Sequence, residues 1–159
     1  MTAFWNEVAN DIDTLLGREA TVGNFDIGLQ TTYRTVAKCS LYVEVNNEAE
    51  LLFVSSVVQK TGIKVVLIGN GSNLLIADSG FDGLVVSLGR GFEEIEIHES
   101  FVEAGAAVQL PVLARKTASL GLTGFEWAVG VPGTIGGAVK MNAGGHGSDM
   151  GESIKSAEI

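Results

Sequence analysis

"LIGNGSNLLIADSGFDG", residues 67–83, ends a short apolar run and sets two glycines, two asparagines and a serine into the five positions 69–73. Every glycine in a folded element costs backbone entropy, so such a cluster answers to a positive φ or to a close approach of the backbone to another group. Gly69 and Gly71 can turn successive N–H groups toward one point as an anion-binding nest, with Ser72 and Asn73 adding neutral donors. A diphosphate would be held there by oriented dipoles, without any lysine. A tight strand-to-strand connection accounts for the same letters equally well. Two better-known phosphate loops are excluded. The chain has no Gly-Lys-Ser/Thr for a P-loop. A Rossmann fingerprint needs a third glycine where Leu74 stands, and "LLIADSGFDG" does not spell the helix that follows it.

Upstream, "KVVLIG" (64–69) is a nearly all-apolar strand of the kind found in sheets covered on both faces. Asn47 reads as a helix N-cap, with Glu50 completing a capping-box-like pair. Leu51, Leu52, Val54, Val57 and Val58 form the apolar face, and Gly62 is the left-handed stop. With "SLYVEV" (40–45) as the preceding strand, this region spells a βαβ unit. Phe4, Val8, Ile12 and Leu15 at helical spacing, closed by Gly17, predict an amphipathic first helix. Downstream, "LVVSL", "FEEIEIH" and "FVEAGA" are short strands of a more antiparallel region, in which Ile95 and Ile97 alternate with glutamates. Pro111 opens a helix through Leu120, with Leu113, Thr117 and Leu120 inward and Gly121 as its stop. "SIKSAEI" (153–159) reads as the start of a strand without a partner, so the chain is expected to be a fragment of something longer. The expected division is an N-terminal α/β subdomain over 1–88 and a second, incomplete subdomain over 89–159.

Composition limits the possible partners. A hydrophobic content of 46% over 159 residues suffices for a buried core. Ten basic residues against 19 acidic ones give a net charge of -9, and the basic residues are scattered, which disfavours nucleic acid. No apolar run approaches the ~18 residues that suggest a membrane span. The acidic start "MTAFWNEVANDID" lacks the basic region of a secretion signal, so a cytoplasmic setting is expected. The single cysteine, Cys39, precludes an intramolecular disulfide and reads as a buried small hydrophobe rather than a nucleophile. With His98 and His146 the only histidines, sequence spacing draws no ligand cluster, and no metal is expected.

A second stretch resembles the first in its chemistry. Residues 121–151 hold ten of the 21 glycines, interleaved with Trp127, Val131, Ile135, Val139 and Met141, which a disordered linker would not carry. Within "GFEWAVGVPGTIGGAVKMNAGGHG" (124–147), Pro132 and Gly133 lead to Gly136 and Gly137. Those two consecutive positions without side chains leave backbone open to a flat or extended ligand, with Thr134 and Asn142 as hydrogen-bonding groups. A glycine-rich packing corner is the competing reading. His146 reads as a turn residue rather than a catalyst.

Taken together, "TTYR", "IGNGSNLLIADSGFDGLVV", "VEAGAAV" and "LGLTGFEWAVGVPGTIGGAVKMNAGGHG", in order over about residues 30–152, resemble the UDP-N-acetylenolpyruvoylglucosamine reductase (UDP-N-acetylmuramate dehydrogenase) family. The resemblance implies an α+β fold, an FAD-binding module similar to that of vanillyl-alcohol oxidase and p-cresol methylhydroxylase. In that fold a small βαβ-containing subdomain lies beside a mixed-sheet one, with FAD clasped between. By the resemblance, Gly69, Asn70, Gly71, Ser72, Asn73 and the adjoining Leu74 match the loop that holds the FAD pyrophosphate. Gly130, Pro132, Gly133, Thr134, Gly136 and Gly137, followed by Asn142 to Gly144, match the segment lining the flavin and its ribityl chain. The implied reaction has NADPH reduce the flavin, which then passes hydride to the enolpyruvyl double bond of a UDP-sugar to give UDP-N-acetylmuramate, a peptidoglycan precursor. The family's serine proton donor, arginine and glutamate belong to motifs that no segment here matches, so no catalytic residue is assigned, and Ser148, Glu152 and Ser153 do not stand in for them. Family members continue "TTYR" with Gly-Gly where this chain has Thr35 and Val36, and no role is carried over to Tyr33 or Arg34. The alternatives are another flavin-dependent oxidase or dehydrogenase on the same module, and a non-catalytic flavin-binding fragment. Oligomeric state is not legible.

Overall fold

The computed structural model describes residues 1–158. It divides into two compact units, Met1–Gly89 and a second that begins at Arg90. In the first, helix α1 (Ala3–Leu16) is capped by Thr2, whose hydroxyl accepts from the Trp5 N–H, and stopped by Gly17 at a φ of 67°. It buries Val8, Ala9 and Ile12, while Phe4 and Leu15 stay exposed at its ends. Helix α2 (Glu48–Thr61) starts where Asn47 Oδ1 accepts from the Glu50 N–H at 2.9 Å. The return bond reaches one residue further back than a capping box requires, from the Asn46 N–H to Glu50 Oε2 at 2.8 Å. Val54 and Val57 face inward at 2% exposure each, whereas Leu52, expected on the same face, is 61% exposed. Two residues along a helix is roughly 200° around its axis, which puts Leu52 opposite Val54.

Glu50 also receives the Arg18 guanidinium at 2.9 Å. Burial pushes the carboxyl pKa up, but the Arg18 hydrogen bond, the Asn46 N–H and the Arg18 charge together outweigh it and leave the value below the ordinary 4.5. A depressed folded pKa means the contribution is present at neutral pH and is lost as the pH falls below about 4.5, through the folded value. Glu50→Gln is therefore expected to cost about 1 kcal/mol at neutral pH and to flatten the acid limb of the stability profile, measured by urea denaturation across that range.

The first unit's sheet has the order β1-β2-β4-β3. Strand β1 (Thr21–Phe25) runs antiparallel to β2 (Cys39–Val45), while β4 (Phe81–Leu88) is parallel to both β2 and β3 (Val65–Ile68). "LVVSL" therefore belongs to the first sheet, not to the antiparallel region that its sequence suggests. Leu84, Val85 and Val86 are at most 3% exposed, as a central strand covered on both faces requires. By taking the position beside β2, β4 leaves β3 at the edge. Val65, Val66 and Leu67 are 46%, 36% and 55% exposed, so the expectation that this strand is covered on both faces is corrected. Strand β1 carries no clear sequence signal, because Gly23 and Asn24, the latter at a φ of 51°, are poor strand formers.

A cluster of Ile27, Ala37, Cys39, Ile68 and Val85 fills one side of this sheet, with Phe25 stacked on Tyr42 at 4.2 Å beside it. Burial pushes the Cys39 thiol up to about 11. Because the thiolate is the nucleophile, Cys39 is expected to resist a thiol reagent in the native protein and to label fully in denaturant, as followed by absorbance.

In the second unit, β5 (Ile95–Ile97) and β6 (Val102–Ala104) form an antiparallel hairpin. Helix α3 (Leu110–Ser119) has Pro111 in its first turn and buries Leu113 and Thr117. Leu120, expected inward, lies past the helix and is 54% exposed. Helix α4 (Ile135–Met141) precedes a short ladder of β7 (Gly144–Gly145) and β8 (Ser148–Asp149). Around these elements, Leu110, Trp127, Ala128, Ile135 and Met150 build one core. The expected terminal strand is absent among the described residues. Asp149 instead caps helix α5 (Met150–Ser153), accepting from the Glu152 N–H at 3.1 Å, and residues 154–158 lie in no strand. Ile159, the last residue of that expected strand and of the expected 89–159 subdomain, lies outside the described residues. The mixed sheet is in the first unit, and the second carries separate two-stranded ladders. Among the described residues, no helix is long and apolar enough to cross a membrane.

Candidate cofactor site

Residues 69–73 follow the buried Ile68 that ends β3, and Gly71 sits at their centre, buried, with a φ of 64°. A Cβ there would fall 2.3 Å from the Gln30 carbonyl oxygen and 3.2 Å from Thr31 Cα. Both demands raised by the sequence thus operate at Gly71, and the close approach is to the chain's own backbone. The Thr32 hydroxyl donates to the Ser72 carbonyl at 3.4 Å, so residues 30–32 form a wall behind the loop. Nothing local in the sequence announces that wall, because it is made by a contact forty positions away. The Leu74 N–H closes the turn on the Gly71 carbonyl at 3.3 Å, and the Leu74 side chain packs against the Ile27, Cys39 and Val85 cluster. Gly69, Asn70 and Asn73 remain exposed and Ser72 half-buried. The loop is held from behind and presents its outer face to solvent.

The "TTYR" segment, residues 31–34, supplies Thr31 and Thr32 of that wall. Tyr33 is 67% exposed, and Arg34 holds a φ of 48°, in the left-handed region that non-glycine residues seldom occupy. The Thr35 hydroxyl is buried without a hydrogen bond among the described residues, and Val36 is 77% exposed.

The segment from Gly130 to Gly144 is more internally bonded than its sequence suggests. A 3-10 turn over Glu126–Gly130 leads to Pro132 and to Gly133, whose φ is 133°. The Glu126 carboxylate accepts backbone N–H groups, its own foremost and that of Gly124 at 2.8 Å, which holds it below the ordinary carboxylate value. Thr134 is buried, and its hydroxyl caps α4 by accepting from the Gly137 N–H at 3.4 Å. Asn142 ends that helix in the left-handed conformation. Its side chain accepts from the Gly151 N–H at 2.8 Å and donates to Asp149 at 3.2 Å. The Thr134 and Asn142 side chains, expected to face a ligand, also cap and tie the segment. Residues 135–141 wind into a helix.

What stays open is the glycine surface. Gly136 is enclosed, donating to the Ala106 carbonyl at 2.9 Å, and a Cβ on it would lie 3.0 Å from that of Ala106. A Cβ on Gly144 would meet the Ser148 carbonyl oxygen at 2.9 Å. Gly130 and Gly137 differ. Both are exposed and outside the left-handed region, and an added Cβ would meet only His146 Nε2 at 3.6 Å or Thr134 Oγ1 at 3.4 Å, ordinary contact distances. Nothing in the fold requires glycine at either position. A surface with its side chain removed and no internal reason for the removal fits close approach by an outside group such as FAD.

A concavity of about 380 Å³ lies elsewhere in the first unit, between Met1, Thr2, Trp5, Asn24, Ser40 and Asp82, and no glycine-loop residue lines it. The Trp5 indole N–H and the Ser40 hydroxyl both donate to Asp82, so its polar groups satisfy one another.

The chain is similar to known proteins. Residues 39–159 match the family described as "FAD binding domain". A UDP-N-acetylenolpyruvoylglucosamine reductase from Anoxybacillus flavithermus is 40% identical over 145 residues, 89% of this chain and 48% of that protein. One from Caulobacter vibrioides is 49% identical over 98 residues, 61% of this chain and 33% of that protein. The crystal structure of the reductase of that name from Thermus caldophilus superposes with a TM-score of 0.66 at 31% identity, covering 83% of this chain and 45% of its own. The chain thus spans about half the length, or less, of the relatives it matches. With both glycine segments and strands β2, β3 and β4 of the first sheet inside the matched residues, and an α+β architecture in each unit, the chain belongs to the FAD binding domain family.

Proposed function

We propose that this chain is the FAD-holding part of an enzyme that reduces UDP-N-acetylglucosamine enolpyruvate to UDP-N-acetylmuramate, with NADPH as reductant. The observation that carries the reading on the structural side is Gly137, a helical glycine that the fold itself does not need. Similarity over 89% of the chain to a reductase of that specificity supports the choice of substrate.

When bound, FAD supplies the two-electron carrier that takes hydride from one partner and returns it to the other. The chain's own task is to grip and orient it. The outer face of Gly69, Asn70, Gly71, Ser72 and Asn73 offers backbone N–H groups and small polar side chains to the pyrophosphate, kept rigid by the wall at 30–32 and by the packed Leu74. Gly130, Pro132, Gly133 and Gly137, with Asn142 to Gly144, take the flavin and ribityl end, where missing side chains let backbone lie close. Thr134, Gly136 and Asn142 also fix the shape of that segment. No residue of this chain is given the proton-donating role. A UDP-sugar substrate of this kind belongs to cell-wall synthesis, on which cell shape and division depend, and a cytoplasmic enzyme suits that substrate.

The test has two stages. FAD added to the chain should lose fluorescence saturably. In a protein of the reductases' full length, the enolpyruvyl UDP-sugar should then reoxidise NADPH-reduced flavin. Bound flavin that the sugar fails to reoxidise would favour an oxidase or dehydrogenase of another specificity. Absence of any flavin binding would remove both readings.

A further inference from the structure

The β5–β6 hairpin carries donor groups that the flavin reading leaves unused. Register sets Glu96 opposite Glu103, and His98 stands two residues from Glu96, on the same face of the ribbon. His98 Nε2 is 3.9 Å from a carboxylate oxygen of each glutamate, and the three atoms all lie within 4.8 Å of one another.

Two observations separate this group from ordinary surface charge. His98 Nε2 has less than 1 Å² of accessible surface and no hydrogen bond among the described residues, although the side chain as a whole is 38% exposed. The ring is also held in place. It stacks on Phe101 with centroids 4.3 Å apart and planes 17° apart, and the backbone N–H of His98 donates to the Phe101 carbonyl at 3.0 Å. Lys155, the nearby cation, lies over the Phe101 ring at 5.2 Å rather than between the carboxylates. Two carboxylates set directly opposite across strands repel, and a cation between them would relieve that repulsion. An ion at the centre of such a triangle would lie roughly 2.3–2.5 Å from each donor, a few tenths of an ångström from zinc–nitrogen and zinc–oxygen bond lengths.

We propose that Glu96, His98 and Glu103 form a binding site for a divalent transition metal of the zinc class, with His98 Nε2 and one oxygen from each glutamate as ligands. The mixed imidazole and carboxylate set selects zinc over magnesium, which prefers oxygen alone. The ion would bridge the two strands of a three-residue ladder and stabilise the hairpin in proportion to its occupancy. Sequence spacing could not draw this site, because Glu103 joins it only through strand pairing.

Calorimetric titration of zinc chloride into the chelator-treated chain should show about one saturable equivalent, with a rise in melting temperature that magnesium chloride does not reproduce. His98→Gln and Glu103→Gln should each weaken zinc binding by about tenfold or more, whereas His146→Gln should leave it unchanged. Circular dichroism verifies that each variant stays folded, and cobalt(II) absorption gives an independent reading of the ligand set. No saturable heat, or equal zinc affinity in His98→Gln and Glu103→Gln, overturns the proposal. Neither readout involves flavin, so the result stands apart from the cofactor reading.

Discussion

Gly71→Ala is expected to destabilise the chain by about 2–4 kcal/mol, the sum of a left-handed backbone penalty and a steric overlap. The glycine holds a φ of 64°, and the new methyl would sit 2.3 Å from the Gln30 carbonyl oxygen and 3.0 Å from its carbonyl carbon. Neither atom can yield as a flexible side chain could. The 30–32 wall would move, and with it the Thr32 bond to Ser72. Gly71→Asn separates the two terms, since asparagine tolerates left-handed backbone but brings the same Cβ. It should recover only the smaller backbone part. Urea denaturation of both variants measures the difference. Full recovery in the asparagine variant would mean that the wall is not in contact as described. Flavin binding should fall in both, but as a consequence of a displaced loop.

Gly137→Ala is expected to have the opposite effect on the fold. This glycine is exposed in helix α4, outside the left-handed region, and the new methyl would have only Thr134 Oγ1 nearby, at 3.4 Å. Alanine is the better helix former by about 0.5–1 kcal/mol, so the apo chain should become more stable. FAD affinity should nevertheless fall by about tenfold, equivalent to about 1.4 kcal/mol, because the methyl occupies space that the cofactor uses. Gly137→Val should cost more affinity. Opposite signs in the two measurements distinguish a ligand-facing glycine from a packing one. A packing role predicts that both quantities fall, and a neutral surface predicts that affinity does not change.

Much of the fold is legible in local signals. Helices α1 and α2 can be read because Gly17 and Gly62 end them in left-handed caps, and because Asn47 sits three residues before Glu50. The same spacing at Asp149 and Glu152 marks the N-terminus of α5, yet the apolar letters of "SIKSAEI" point to a strand that does not form among the described residues. What local pattern cannot supply is neighbourhood. The letters of β3 suit a central strand, but the insertion of β4 between β2 and β3 puts it at an edge. The glycine loops are legible as a chemistry and only partly as a geometry. Gly71 answers to Gln30, and Asn142 answers to Asp149 and Gly151, contacts that no spacing rule reveals.

The functional reading stands on these loops holding FAD by both its pyrophosphate and its flavin. Fluorescence titration of the unmodified chain with FAD, FMN and riboflavin in parallel probes both contacts at once. Saturation is expected near one FAD per chain, with riboflavin, which lacks phosphate, bound at least about tenfold more weakly and FMN in between. Equal affinity for all three would show that residues 69–73 take no part, and failure of FAD to saturate would contradict the reading altogether.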